Sequence, residues 1–170
     1  MTDGYRGVFG AYPFAFRESD SLLFRSYVVV GGLLAAGTAI LFALGLVVLL
    51  AKTALVPGGT LTLSRSFYAV LGLFVVVPLV APVLFVARRH RRGEARDDDA
   101  YDPALALSGY LFALSLYVGL VATVPPAQQT TPTGVFAPAV RVLYGLPQFS
   151  GLVPPLVAGA LIYLVHRVVR

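Results

Sequence analysis

Four long apolar stretches divide the chain, and none holds an Asp, Glu, Lys or Arg until Arg167 at the very end of the last. They cover residues 26–51, 66–87, 104–124 and 151–167. A helix needs about 20 apolar residues to cross roughly 30 Å of hydrocarbon. The stretches lack the alternation of a membrane β-barrel, and only helices and closed barrels satisfy their backbone hydrogen bonds in lipid. The pattern therefore predicts an all-α membrane protein with four transmembrane helices, residues 26–170 forming the four-helix transmembrane domain.

The segment before the first stretch, residues 1–25, alternates aromatic residues with glycine and proline. This alternation disfavours a long regular helix. Aromatic rings and basic heads both suit the headgroup layer of a bilayer, so the segment is interpreted as a cytoplasmic aromatic and basic arm at the interface. A docking arm for a partner protein is the alternative. Ser19, Asp20 and Ser21 are candidate N-caps for the helix that follows.

A further apolar segment, residues 134–149, lies between the third and fourth stretches. Phe136, Ala139, Val140 and Leu143 fall on one helical face, with a proline early and a glycine late in the segment. We expect a short interfacial helix near 136–144, lying on the outer surface of the membrane.

The overall composition supports membrane residence. Hydrophobic residues make up 58% of the chain and charged residues 12%, against about 45–50% and about 25% in soluble domains. The absence of cysteine excludes disulfides, thiolate metal sites and a cysteine nucleophile. A net charge of +5 would suggest nucleic acid in a soluble protein, but here the basic residues are interpreted as topology signals and no nucleic-acid partner is predicted.

The loop between the second and third stretches carries the densest charge, with an arginine cluster followed by an acidic run. With both termini on the side of this loop, that side collects ten of the 13 Lys and Arg residues. This bias predicts cytoplasmic N and C termini. We expect the cluster to contact the anionic headgroups of the lipid bilayer. Its residues are Arg88, Arg89, Arg91 and Arg92. The acidic run lacks the pattern of a hard-cation site, so no metal is predicted.

The strong excess of Arg over Lys, with abundant Ala, Val and Gly, is similar to small membrane proteins of halophilic archaea and other high-GC prokaryotes. This compositional resemblance implies a plasma membrane and no particular activity.

Small residues are frequent in the first stretch. Gly31 with Ala35, and Gly32 with Ala36, have the four-residue spacing that lets helices approach closely. Because such residues occur on more than one face, this helix is predicted to be central to the bundle. In the third stretch, Ser115 and Gly119 share a stripe that predicts helix packing.

Pro78 and Pro82 lie within the second stretch. Each removes a backbone donor, so a kink is expected near the middle of the membrane. The alternative is a gate or a solute site, since broken helices expose carbonyls in transporters.

Candidate chemistry is sparse. The apolar stretches hold no buried ionisable residue of the kind that ion-coupled transporters use, and no phosphate-loop, dinucleotide or hydrolase motif is present. His90 and His166, both at predicted helix ends, would in principle clamp a haem iron, but a histidine complementing a helix dipole is the favoured interpretation. Asp102 followed by Pro103 is interpreted as N-cap and first residue of the third helix. No catalytic, cofactor-binding or metal-binding residue is predicted.

Two function classes remain open. The leading prediction is an accessory or structural subunit that packs against other membrane protein subunits or itself, and is not an enzyme. The alternative is a carrier or channel for a neutral or lipophilic solute, suggested by the paired prolines.

Overall fold

The structure, a computed structural model, describes residues 7–53, 59–93 and 100–169. Throughout these residues the regular structure is helical, without strands. The described residues form six α-helices and two short 3-10 helices at Pro126–Gln128 and Gln148–Leu152. The α-helices are α1 Gly7–Glu18, α2 Leu22–Thr53, α3 Gly59–Arg91, α4 Tyr101–Ala122, α5 Ala137–Tyr144 and α6 Val153–Val168.

Four helical segments are long and apolar enough to cross a membrane, which confirms the predicted number of spans. They are Leu22–Thr53, Leu63–Arg91, Tyr101–Ala122 and Gln148–Val168. The first begins earlier than its apolar stretch because Ser21 caps it: the Phe24 amide donates to the Ser21 hydroxyl over 3.2 Å. The side of the membrane on which the termini lie stays a prediction.

The N-terminal arm departs from expectation, because α1 is a regular helix of 12 residues that continues through Pro13. Ala11 and Ala15, one turn apart, are fully buried, and α1 packs against α3 and α2. Most helical stability in proteins comes from packing one face rather than from intrinsic propensity. That packing explains why the glycine and proline pattern failed to predict this helix. Residues 1–6 of the arm lie outside the described residues.

The helix at the centre of the bundle is α4, not α2, so the prediction from small residues was wrong. Among the 18 most apolar consecutive residues of each helix, 33% are buried in α4, compared with 6% in α2. The helix α4 packs against α2, α3, α5 and α6. Small residues permit close approach but do not compel it, and Ala36 on α2 is exposed.

The core lies towards one end of the bundle, where α3 ends in the arginine cluster; we call this the arginine end. Its largest fully buried side chains include Phe24 and Tyr27 of α2, Val83 and Val86 of α3, and Tyr101 of α4. At the other end, which we call the far end, α2 and α3 expose most of their large apolar side chains, such as Leu44 and Leu73. The large buried side chains are therefore concentrated at the arginine end.

The short helix expected near 136–144 is present as α5, with Pro138 in its first turn and Gly145 as its C-cap. It contacts α4 and buries Ala137, while Val135 and Phe136 just before it are exposed. Its placement on the outer membrane surface stays a prediction.

Candidate functional site: a polar clasp at the arginine end

Asp102 lies in the first turn of α4 and is buried, with 8% of its surface exposed. Its Oδ2 atom accepts a hydrogen bond from the Ser19 hydroxyl at 2.5 Å and lies 2.8 Å from Nε2 of His90. The prediction that Asp102 caps α4 was wrong, since the N-cap position is Ala100 and no side chain caps it. The carboxylate is instead directed to the α1–α2 turn and to the end of α3, because a buried carboxylate needs hydrogen-bond partners.

Ser19 lies in the turn between α1 and α2 and is fully buried. Its hydroxyl oxygen also accepts a hydrogen bond from the Ser21 amide, at 3.4 Å. The Ser19 carbonyl accepts a 2.7 Å hydrogen bond from Nε of Arg25. The turn is therefore held by hydrogen bonds to both the side chain and the backbone carbonyl of Ser19. Because α1 ends at this turn, its position limits where α1 can lie.

Tyr101, the neighbour of Asp102, makes the second set of contacts. Its hydroxyl lies 2.5 Å from Nδ1 of His166 at the end of α6. The Arg89 guanidinium sits 4.2 Å from the centre of the Tyr101 ring, within the range of a cation–π interaction. The His166 ring stacks on Phe85 of α3, with centroids 4.1 Å apart and planes 10° from parallel.

We call Ser19, His90, Tyr101, Asp102 and His166 the clasp. Through two adjacent residues, the start of α4 is connected to the α1–α2 turn, to the end of α3 and to the end of α6. Satisfied polar networks of this kind rigidify a structure and specify one arrangement.

The order of hydrogen-bonded groups in the clasp differs from that in the catalytic triad of a serine hydrolase. There the histidine accepts the serine proton and the acid orients the histidine, whereas here the buried Ser19 hydroxyl donates directly to the carboxylate. The contacts describe a structural connection between helices.

The chain matches, over residues 1–170, the model of a family described as a domain of unknown function. It belongs to the DUF8056 family. No curated protein sequence matches the chain, and no solved structure matches it. The function of this DUF8056 protein is therefore inferred from its own structure.

The two histidines of the DUF8056 chain each have a partner within the clasp, His90 through Nε2 and His166 through Nδ1. Within the three described ranges, no three His, Cys, Asp or Glu residues group closely enough to hold a metal ion.

The arginine cluster divides into two kinds of residue. Arg88, Arg91 and Arg92 are exposed at the end of α3, as headgroup contact requires. Arg89 is 9% exposed and lies on the Tyr101 ring, so it belongs with the clasp. The acidic run 97–99 lies outside the described residues.

The small residues of α2 predicted for helix packing serve different neighbours. A Cβ at Gly31 would lie 2.8 Å from the Tyr27 ring of the same helix, and one at Gly32 would lie 2.9 Å from the Tyr12 ring of α1. Ala35 is buried, with 5% of its surface exposed, whereas Ala36 is exposed. The first three therefore pack inside the protein, and only Ala36 remains accessible.

On α4, Gly119 meets the backbone of Gly151, since a Cβ built there would overlap the Gly151 carbonyl oxygen. Ser115 is buried, and its hydroxyl donates to the Phe112 carbonyl of its own helix at 2.6 Å. Both residues lie in the stripe that the sequence analysis singled out, and at Gly119 the backbone of α4 is in close contact with the 3-10 helix before α6.

The helix α3 continues through Pro78 and Pro82, and the kink expected there stays a prediction. The Leu79 carbonyl between them accepts a 2.7 Å hydrogen bond from the buried Tyr27 hydroxyl. The Tyr27 ring fits because Gly109 of α4 leaves space for it. The helices α2 and α3 are thus joined by Tyr27, which the sequence analysis did not single out.

Proposed function

We propose that this protein is a multi-pass plasma-membrane protein with cytoplasmic termini that serves as an accessory or structural subunit, packing against other membrane proteins or a second copy. The observation that carries the proposal is the exposure of α2, the least buried of the four spans. The side of α2 that faces away from α3 and α4 offers an apolar surface to a neighbour along most of the helix. We assign no reaction to the clasp and propose no enzyme activity.

The open face of α2 is the side turned away from its buried residues. It consists of Leu33, Ala36, Gly37, Ile40, Leu41 and Leu44. No atom lies within 4 Å of the position that a Cβ would take at Gly37. In lipid, close helix approach depends on such small residues, because burying apolar surface gives no driving force there. Ala36 and Gly37 thus form a notch that a partner helix can enter.

Enlarging the notch residues is expected to weaken partner binding. Ala36→Leu or Gly37→Leu raises hydrophobicity, so membrane insertion should be retained while the close approach is blocked. The measurement is recovery of the associated protein, or of a tagged second copy, after purification in mild detergent. Ala160→Leu is the matched control, since Ala160 is exposed on α6. Equal recovery from all variants would count against the open face of α2 as the interface.

The carrier alternative rests on Pro78 and Pro82, which deprive the carbonyls of Phe74 and Pro78 of their helical amide donors. It makes a different prediction: Pro78→Ala would change uptake of a neutral solute while leaving assembly unaltered. Loss of uptake in Pro78→Ala, together with normal partner recovery from Ala36→Leu, would favour the carrier.

The proposed topology is tested by cysteine labelling, since the chain has no native cysteine. Single cysteines at Thr60 and Thr131 should react with an impermeant thiol reagent on intact cells, and one at Ala95 should react only after lysis. Ala95 lies outside the described residues. Labelling of residue 95 alone would reverse the orientation and place the arginine cluster outside.

A further inference from the structure

A cleft of about 370 Å³ lies between α2 and α3 towards the far end. Its volume falls within the roughly 300–1,000 Å³ of ligand pockets. Its walls include Ala39 and Ala43 of α2 and Ala69 and Gly72 of α3. The small residues leave the space open, and larger apolar side chains close its sides. The lining is apolar apart from the Tyr68 hydroxyl.

A charged group stands next to this cleft. Arg65 precedes Tyr68 and Ala69 by three and four residues, so all three lie on one face of α3. The guanidinium of Arg65 is held in place by Thr53 at the end of α2: Nη2 donates to the Thr53 carbonyl at 2.9 Å and to its hydroxyl at 2.7 Å. A partly exposed cation is therefore fixed where α2 and α3 leave the apolar region.

We propose that the α2–α3 cleft binds one acyl chain of a phospholipid whose phosphate is held by Arg65. A phospholipid combines a negative phosphate at the membrane boundary with an apolar chain below it, and Arg65 above the cleft has the complementary arrangement. Because Nε and Nη2 of Arg65 donate to Thr53, Nη1 is the nitrogen that would donate a charge-assisted hydrogen bond to the phosphate. On α2 the cleft borders the proposed protein interface, because Ala36 lies on the same stripe as Ala39 and Ala43, whereas Gly37 lies on the opposite side of the helix.

The wall of the cleft is arranged to stay open. A Cβ at Gly72 would lie 2.9 Å from the Phe42 ring, and one at Gly45 would overlap the Tyr68 hydroxyl. The Phe42 and Tyr68 rings contact each other across the two helices, with centroids 5.2 Å apart. These two glycines let the rings bridge α2 and α3, while Ala39, Ala43 and Ala69 leave the slot beside them unfilled.

The test places the full chain in nanodiscs of phosphatidylcholine that contain phosphatidylglycerol with a photoreactive acyl chain. Saturable cross-links to α2 and α3 peptides around Phe42 and Tyr68 are expected. Ala69→Leu fills the cleft and Arg65→Gln removes the phosphate contact. Each should lower the cross-link yield by about tenfold, the effect of losing one charge-assisted hydrogen bond or its equivalent. Diacylglycerol with the same chains should label the wild type as weakly as phosphatidylglycerol labels Arg65→Gln.

Two controls separate this site from bulk lipid and from the protein interface. Ala160→Leu and Gly37→Leu, both outside the cleft, should leave the lipid cross-link unchanged, whereas Gly37→Leu reduces partner recovery if the proposed function is right. Arg65→Lys keeps the charge and should recover part of the yield, which distinguishes phosphate binding from a fold defect. Cross-linking that rises linearly with the lipid fraction would overturn the proposal, as would a yield that Arg65→Gln and Ala69→Leu leave unchanged.

Discussion

Replacing Asp102 with alanine is expected to lower the free energy of unfolding by about 2–6 kcal/mol, because two hydrogen-bond partners would lose their acceptor. The substitution leaves the fully buried Ser19 hydroxyl and the partly buried His90 ring without their shared acceptor. Each buried polar group that loses its bond costs about 1–3 kcal/mol. The measurement is reversible unfolding in mixed micelles, followed by far-ultraviolet circular dichroism.

Two other aspartate variants calibrate this result. Asp102→Asn keeps the shape and one acceptor oxygen, so it should be less harmful than alanine. Asp20→Ala removes an exposed carboxylate that lies 3.9 Å from Arg25, and exposed pairs contribute little, so a change within about 0.5 kcal/mol is expected. If Asp102→Ala and Asp20→Ala proved equally mild, the clasp would not stabilise the bundle.

The second large effect is expected at Gly119. In Gly119→Ala the new methyl group would overlap the Gly151 carbonyl oxygen, which belongs to backbone and has no rotamer to change. Overpacking of this kind typically costs about 1–3 kcal/mol. The same unfolding assay should therefore show a clear loss of stability, although alanine is intrinsically the better helix former by about 1 kcal/mol.

Gly159→Ala on α6 provides the opposite case. A methyl group there would lie 3.6 Å from the Phe112 ring, an ordinary contact, so the helix preference of alanine should dominate and stability should hold or rise. The two substitutions are chemically identical, and opposite signs are predicted. A destabilisation at Gly159 equal to that at Gly119 would mean that the close approach of α4 to Gly151 is not the cause.

The number and approximate bounds of the long helices were predictable because lipid imposes a simple requirement on length and hydrophobicity. The Ser21 cap follows the local rule that a hydroxyl residue often precedes a helix. The short helix α5 follows the rule that a proline marks the start of a helix and a glycine its end. These features depend on residues that are close together in the sequence.

The clasp was not predictable by the same reasoning. Ser19 and Asp102 are 83 residues apart, and Tyr101 and His166 are 65 apart, so their pairing depends on how the helices assemble. Local rules assigned Asp102 to the cap of its own helix, although burial had given it stronger partners elsewhere. The residues Gly31 and Gly32 show the same difficulty: their small size was evident, but the rings of Tyr27 and Tyr12 that they accommodate were not.

The central claim is that one carboxylate joins the α1–α2 turn to the start of α4, and a double-mutant cycle tests it most directly. Ser19→Ala, Asp102→Ala and the double variant are compared with the wild type by reversible unfolding in one detergent. Because the two side chains are in direct contact, the effects should be non-additive, with an interaction of about 1–3 kcal/mol. Effects that add to within about 0.5 kcal/mol would mean that the two residues act independently, and would contradict the clasp.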